Sequence, residues 1–89
     1  MPLTKLRKEI NKIDDDLVKL LKKRKKVVEK IAKVKIKHGL EIFDKKRENE
    51  IAKKLNWLAK KHGLRKGFLY QIWDHLMAEA KEAQKKIIK

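Results

Sequence analysis

Apolar residues recur along the first 34 positions in alternating steps of three and four: Leu3, Leu6, Ile10, Ile13, Leu17, Leu20, Val27, Ile31 and Val34. Arg24 fills the one place in the series between Leu20 and Val27. Such spacing is a heptad seam, sustained for more than four heptads, and it predicts a helix from about Leu3 to Lys37. At 1.5 Å per residue that helix is roughly 52 Å long. Leu21 and Val28 add a second apolar row, so the face to be buried is broad. A chain of 89 residues has too little else to cover it. Two long helices packed together, with shorter helices folded over them, would solve the problem, so a homodimer is expected.

The rest of the chain reads as two shorter helices. Gly39 follows His38 and suits the left-handed residue that closes a helix. Leu40 to Phe43 form a short loop, and Asp44 is placed as an N-cap. The second helix carries Ile51, Leu55 and Leu58 on one face and stops at His62-Gly63. The third follows Gly67, with Leu69, Ile72, Leu76, Ala83 and Ile87 as its stripe. There is no strand signal, internal repeat or low-complexity linker, so residues 1–89 are expected to form one all-α domain of one long and two shorter helices.

Composition narrows the chemistry. The chain has no Cys or Ser and a single Thr, Thr4, which excludes disulfides, thiolate metal sites and serine- or cysteine-type nucleophiles. His38, His62 and His75 lack ligand spacing, and no glycine-rich phosphate loop is present. No metal or other cofactor is expected. No apolar run approaches the 18 or so residues of a membrane span, and the N-terminus lacks the apolar stretch of a signal peptide, so a cytoplasmic protein without a membrane partner is expected. Heavy lysine use with few Asn or Gln suits a heat-adapted protein, and equally a designed one. A formal charge of +15 implies an anionic partner or a solvated lysine surface.

Lys and Arg total 27, yet only Arg7, Arg24, Arg47 and Arg65 are arginines. A guanidinium offers a rigid fork that grips a carboxylate or phosphate with two parallel bonds. Arg24, set in an apolar seam, is therefore either a register-setting buried charge or an anion ligand lining a cavity between helices. Lys35 lies three helical turns on and points nearly the same way. Arg7 is about 25 Å from Arg24 along a straight helix. No small ligand touches both in one chain, but in an antiparallel dimer Arg7 of one chain could approach Arg24 of the other; without that geometry Arg7 is surface charge. Asp44 and Glu48 lie beside the apolar stripe of the second helix, where a cap and a dipole-countering acid are also ordinary. Arg47 in that first turn is electrostatically misplaced for a structural role alone. Gln84, one turn after Ala80, flanks the third stripe as a donor for an uncharged oxygen or as a boundary residue.

In order and spacing these segments resemble the all-helical class of chorismate mutases over nearly the whole chain. Leu6-Arg7-Lys8-Glu9-Ile10-Asn11-Lys12-Ile13-Asp14 is similar to that family's opening LRxxIxxID run. Leu20-Leu21-Lys22-Lys23-Arg24, Ile31-Ala32-Lys33-Val34-Lys35, the DxxRE-like Asp44-Lys45-Lys46-Arg47-Glu48 and Gln84 follow. The resemblance implies an intertwined helical homodimer with active sites shared between chains. It also implies cofactor-free conversion of chorismate to prephenate, by an intramolecular Claisen rearrangement, in Phe and Tyr biosynthesis. Arg24, and Arg7 from the partner, would bind the two carboxylates of the dianionic substrate. Lys35 and Gln84 would donate to the ether oxygen, Glu48 and Asp44 would hold the ring hydroxyl, and Arg47 would support the acidic groups nearby. Ala80 stands where the family often has a polar residue, which removes one hydrogen bond to the ligand.

Two other readings compete. An isochorismate-pyruvate lyase would share the scaffold and the anion clamp, although the Asp44–Glu48 element and Gln84 favour the mutase. A small basic nucleic-acid-binding protein would use the charge and Arg65-Lys66. Against it, Asp74, Glu79 and Glu82 make the third helix a poor face for phosphates, so no nucleic acid is expected as partner.

Overall fold

The computed structural model describes residues 2–88, with the side chain of Ile88 left aside. It contains three helices in chain order: α1 (Pro2–His38), α2 (Lys45–His62) and α3 (Lys66–Ile88). No strand is present among the described residues. The all-α expectation of one long and two shorter helices holds, and α3 begins two residues earlier than expected, at Lys66 ahead of Gly67.

Local chemistry sets the breaks. Gly39 has φ 64°, and there Leu40 N–H donates to Lys35 O at 2.8 Å while Gly39 N–H donates to Ile36 O at 3.2 Å. Gly63, with φ 65°, repeats the arrangement: Leu64 N–H reaches Ala59 O at 2.9 Å and Gly63 N–H reaches Lys60 O at 3.5 Å. This pairing satisfies carbonyls that a helix end otherwise orphans, and its left-handed residue is one that glycine adopts without strain. Asp44 opens α2 from an extended conformation, its Oδ1 accepting from Arg47 N–H at 3.1 Å.

α3 packs against both α1 and α2. Leu55, Ala59 and Leu69 form the core of the α2–α3 hairpin, with Ile51, Tyr70 and Trp73 against it. Tyr70 pins the same pair of helices by donating its hydroxyl to Asn56 Oδ1 at 2.8 Å. On α1 the buried residues are Val28 and Ala32, and Ala32 is fully covered. They belong to a row beside the heptad seam, not to the seam itself. On α3 the expected stripe needs one correction: Ile72 is exposed, and Trp73, Met77, Ala80 and Gln84 fill the covered face with Leu69, Leu76 and Ala83. Because α3 meets both helices, it buries a wider arc than one stripe provides.

The seam stays open within the chain. Leu6, Ile10, Ile13, Leu17, Leu20, Val27 and Val34 are all about half exposed, Leu17 at 53%. The chain measures 57 × 25 × 15 Å with a radius of gyration of 16.4 Å, against about 12 Å for a compact domain of this length. Its accessible surface is 7987 Å², where a folded monomer of this mass exposes roughly 5,500 Å².

Candidate active site

The three helices and the 39–44 loop enclose an open cavity of about 350 Å³. Seven of the eight residues singled out in the sequence line it: Arg24 and Lys35 from α1, Asp44 before α2, Arg47 and Glu48 on its first turn, and Ala80 and Gln84 from α3. The three-turn step on α1 explains the shared face of Arg24 and Lys35. The eighth, Arg7, is exposed on α1, seventeen positions before Arg24 on one unbroken helix, and does not line this cavity.

Lys35 is the most tightly held polar group of the site. Its Nζ donates to Ile42 O at 2.7 Å and to Gln84 Oε1 at 3.1 Å, tying α1 to both the loop and α3. An ammonium has three N–H bonds, so one remains for a ligand. The same bond orients Gln84, which is buried. Lysine can only donate, so the glutamine must turn its carbonyl oxygen toward Nζ, and its NH₂ group remains as a donor. The pair therefore presents two donors, one charged and one neutral.

Arg24 is half-buried, and its Nη1 lies 3.5 Å from Leu76 O, a long bond that leaves most of the fork available. Arg47 is committed elsewhere: its Nη1 pairs with Glu50 Oε2 at 3.3 Å on the exposed surface. Asp44 spends Oδ1 on the cap. Glu48 is divided. Its Oε1 lies 3.7 Å from Lys81 Nζ, while Oε2 is buried without a hydrogen-bond partner. A buried carboxylate oxygen with no donor is costly; here it borders a cavity and would accept a ligand hydroxyl. Ala80 contributes an apolar methyl group to the wall.

Lys81 also lines the cavity and was missed in the sequence. Its signal was the three-residue step to Gln84, which puts both on one face of α3, but a single lysine among so many gives no contrast. Lys81 Nζ also sits 4.6 Å from the centroid of the Phe43 ring, a cation–π distance. In all, the cavity offers a forked cation, an ammonium with a free N–H, a neutral amide donor and an unpaired carboxylate oxygen. That set suits a compact polyanion bearing an ether or carbonyl oxygen and a hydroxyl. It contains no arrangement of nucleophile and base.

A sequence model of the family described as chorismate mutase type II matches residues 6–85. The chain is 41% identical over 83 residues to a bifunctional chorismate mutase/prephenate dehydratase of Buchnera aphidicola subsp. Acyrthosiphon pisum (strain APS), covering 93% of this chain and 22% of that protein. It is 29% identical over 86 residues to a chorismate mutase of Methanocaldococcus jannaschii, covering 97% of this chain and 87% of that one. It is 32% identical over 78 residues to the T-protein of Haemophilus influenzae, with 88% of this chain and 21% of that protein covered. The chain thus spans about a fifth of the length of the bifunctional relatives that it matches. No helix among the described residues is long and apolar enough to cross a membrane.

Proposed function

Because the chain belongs to the chorismate mutase type II family, we propose that it rearranges chorismate to prephenate, a step toward phenylalanine and tyrosine. The observation that carries the reading is the Lys35–Gln84 pair in one cavity with Arg24 and Glu48. In the rearrangement an ether C–O bond breaks as a C–C bond forms within the same molecule, and no proton or electron leaves. The protein has only to hold a compact, near-reactive conformer and stabilise negative charge growing on the ether oxygen. The free N–H of Lys35 and the NH₂ of Gln84 are the two donors for that oxygen. Held by bonds made before the substrate arrives, they need little reorganisation in the transition state.

Arg24 takes one substrate carboxylate. The second is taken by the partner subunit's Arg7, because Arg7 and Arg24 of one chain lie about 25 Å apart along a helix. Glu48, with the Asp44 segment, accepts from the ring hydroxyl, and Arg47 adds positive potential at that end. The Ala80 methyl makes no polar bond to the substrate. What supports a homodimer with shared sites is the open seam of α1 together with roughly 2,500 Å² of surface beyond that of a compact monomer, an amount suited to an obligate interface.

The test is direct. Purified protein incubated with chorismate should remove its ultraviolet absorbance and yield prephenate. Untouched chorismate, with salicylate and pyruvate released from isochorismate, would replace this reading with a lyase on the same scaffold.

A further inference from the structure

We propose that Lys81 is a positioning residue for the proposed reaction: it holds Oε1 of Glu48, so that Oε2 is left fixed and free to accept the substrate's hydroxyl. The inference rests on the mutase reading above. Its basis is a three-part arrangement spanning three segments. Phe43, in the loop before α2, carries the Lys81 ammonium 4.6 Å from its ring centroid. Lys81, on α3, lies 3.7 Å from Glu48 Oε1. Glu48, on the first turn of α2, keeps Oε2 buried and unpartnered at the cavity wall.

Each part explains the next. A glutamate side chain has three rotatable bonds, and one free in a cavity would sample several rotamers. The aromatic face below Lys81 limits where its ammonium can sit, and the ammonium in turn limits where Oε1 can sit. Lys81 also offsets charge. A dianion entering beside an uncompensated carboxylate would be repelled, and a cation on the far oxygen reduces that repulsion without occupying the acceptor. Glu48 must accept a bond and must not repel, and Lys81 lets one carboxylate do both.

The hydroxyl is present in both the bound substrate and the transition state, so its acceptor supplies uniform binding. Weakening such an interaction raises KM and leaves kcat nearly alone. Lys81→Met keeps most of the length of the side chain but removes the charge, both from Glu48 and from above Phe43. Its KM for chorismate should rise about tenfold with kcat within about threefold of the parent, the loss of one charge-assisted contact. Lys81→Arg should restore KM to within about threefold. The decisive arm is a double-mutant cycle. In a Glu48→Gln background, Lys81→Met should change KM by less than about twofold, because the group it acts through is gone. The ion pair is partly exposed, so thermal stability should shift little, and circular dichroism of each variant checks this. An unchanged KM in Lys81→Met overturns the proposal. So does an equal loss with and without Glu48, which would mean that Lys81 meets the substrate itself or serves only folding. A parent protein that leaves chorismate untouched overturns the mutase reading instead, and the two failures are told apart by that one control.

Discussion

The ammonium of Lys35 can only donate, and that asymmetry governs what Gln84 offers a ligand. With Oε1 turned to Lys35 at 3.1 Å, the amide NH₂ is the free end. Gln84→Glu keeps the shape and replaces that donor with a titratable group. As a carboxylate it would pair with Lys35 and donate nothing; as an acid it regains an O–H. Activity of Gln84→Glu should therefore rise as pH falls toward the usual glutamate range near about 4.3, while the parent stays flatter. Parallel pH profiles for the two proteins would remove Gln84 from the site. Arg24 is tested by its closest relative. Arg24→Lys retains charge but loses the fork, and kcat/KM should fall about ten- to a hundredfold with little change in melting temperature. An unfolded variant with normal activity per folded molecule would make Arg24 a structural residue. At this scale the sequence was informative where a residue type broke its background: an arginine in an apolar seam, an aspartate before a periodic run, a glutamine beside a stripe. It was silent on Lys81, whose distinction is geometric. Only the approach of α3 to the start of α2 brings that lysine, and no neighbouring one, against Glu48 and Phe43.

Elements tell a related story. The breaks at Gly39 and Gly63 and the cap at Asp44 were legible because each rests on local backbone chemistry that few residues satisfy. The face that each helix buries was harder to read. On α1 the heptad seam outshines the neighbouring row, yet within the chain it is Val28 and Ala32 of that row that α3 covers. A small residue at the crossing lets two helices approach, and hydrophobic periodicity carries no information about approach. The continuity of α1, one helix from Pro2 to His38, has its own test. Arg7 and Arg24 cannot serve one substrate from one chain, so the single variants Arg7→Ala and Arg24→Ala should each be nearly inactive. Unfolded together and refolded, half of the dimers should be mixed, each with one intact site of two, and activity should recover to about a quarter of the parent's. Mixed dimers confirmed by mass spectrometry but without recovered activity would refute a site shared in this way.

For the whole molecule, the governing fact is how little of α1 its own chain touches. Every residue from Pro2 to Lys23 is exposed, six turns of helix that the rest of the chain leaves largely uncovered. In proteins most helical stability comes from packing an amphipathic face, and the chain supplies this segment with little of it. On the proposed homodimer its persistence should depend on a second copy, and mass action would make that dependence a function of concentration. Amide hydrogen exchange reads it directly. At micromolar protein, amides between Leu6 and Leu20 should be protected. On dilution toward the dissociation constant they should exchange faster, whereas exchange at equal rates at every concentration would mean that one chain holds its helix unaided. If α1 behaves as expected, half of it is a shared possession: the clock on its backbone protons counts not the strength of its own bonds but how often a second chain is there to hold it.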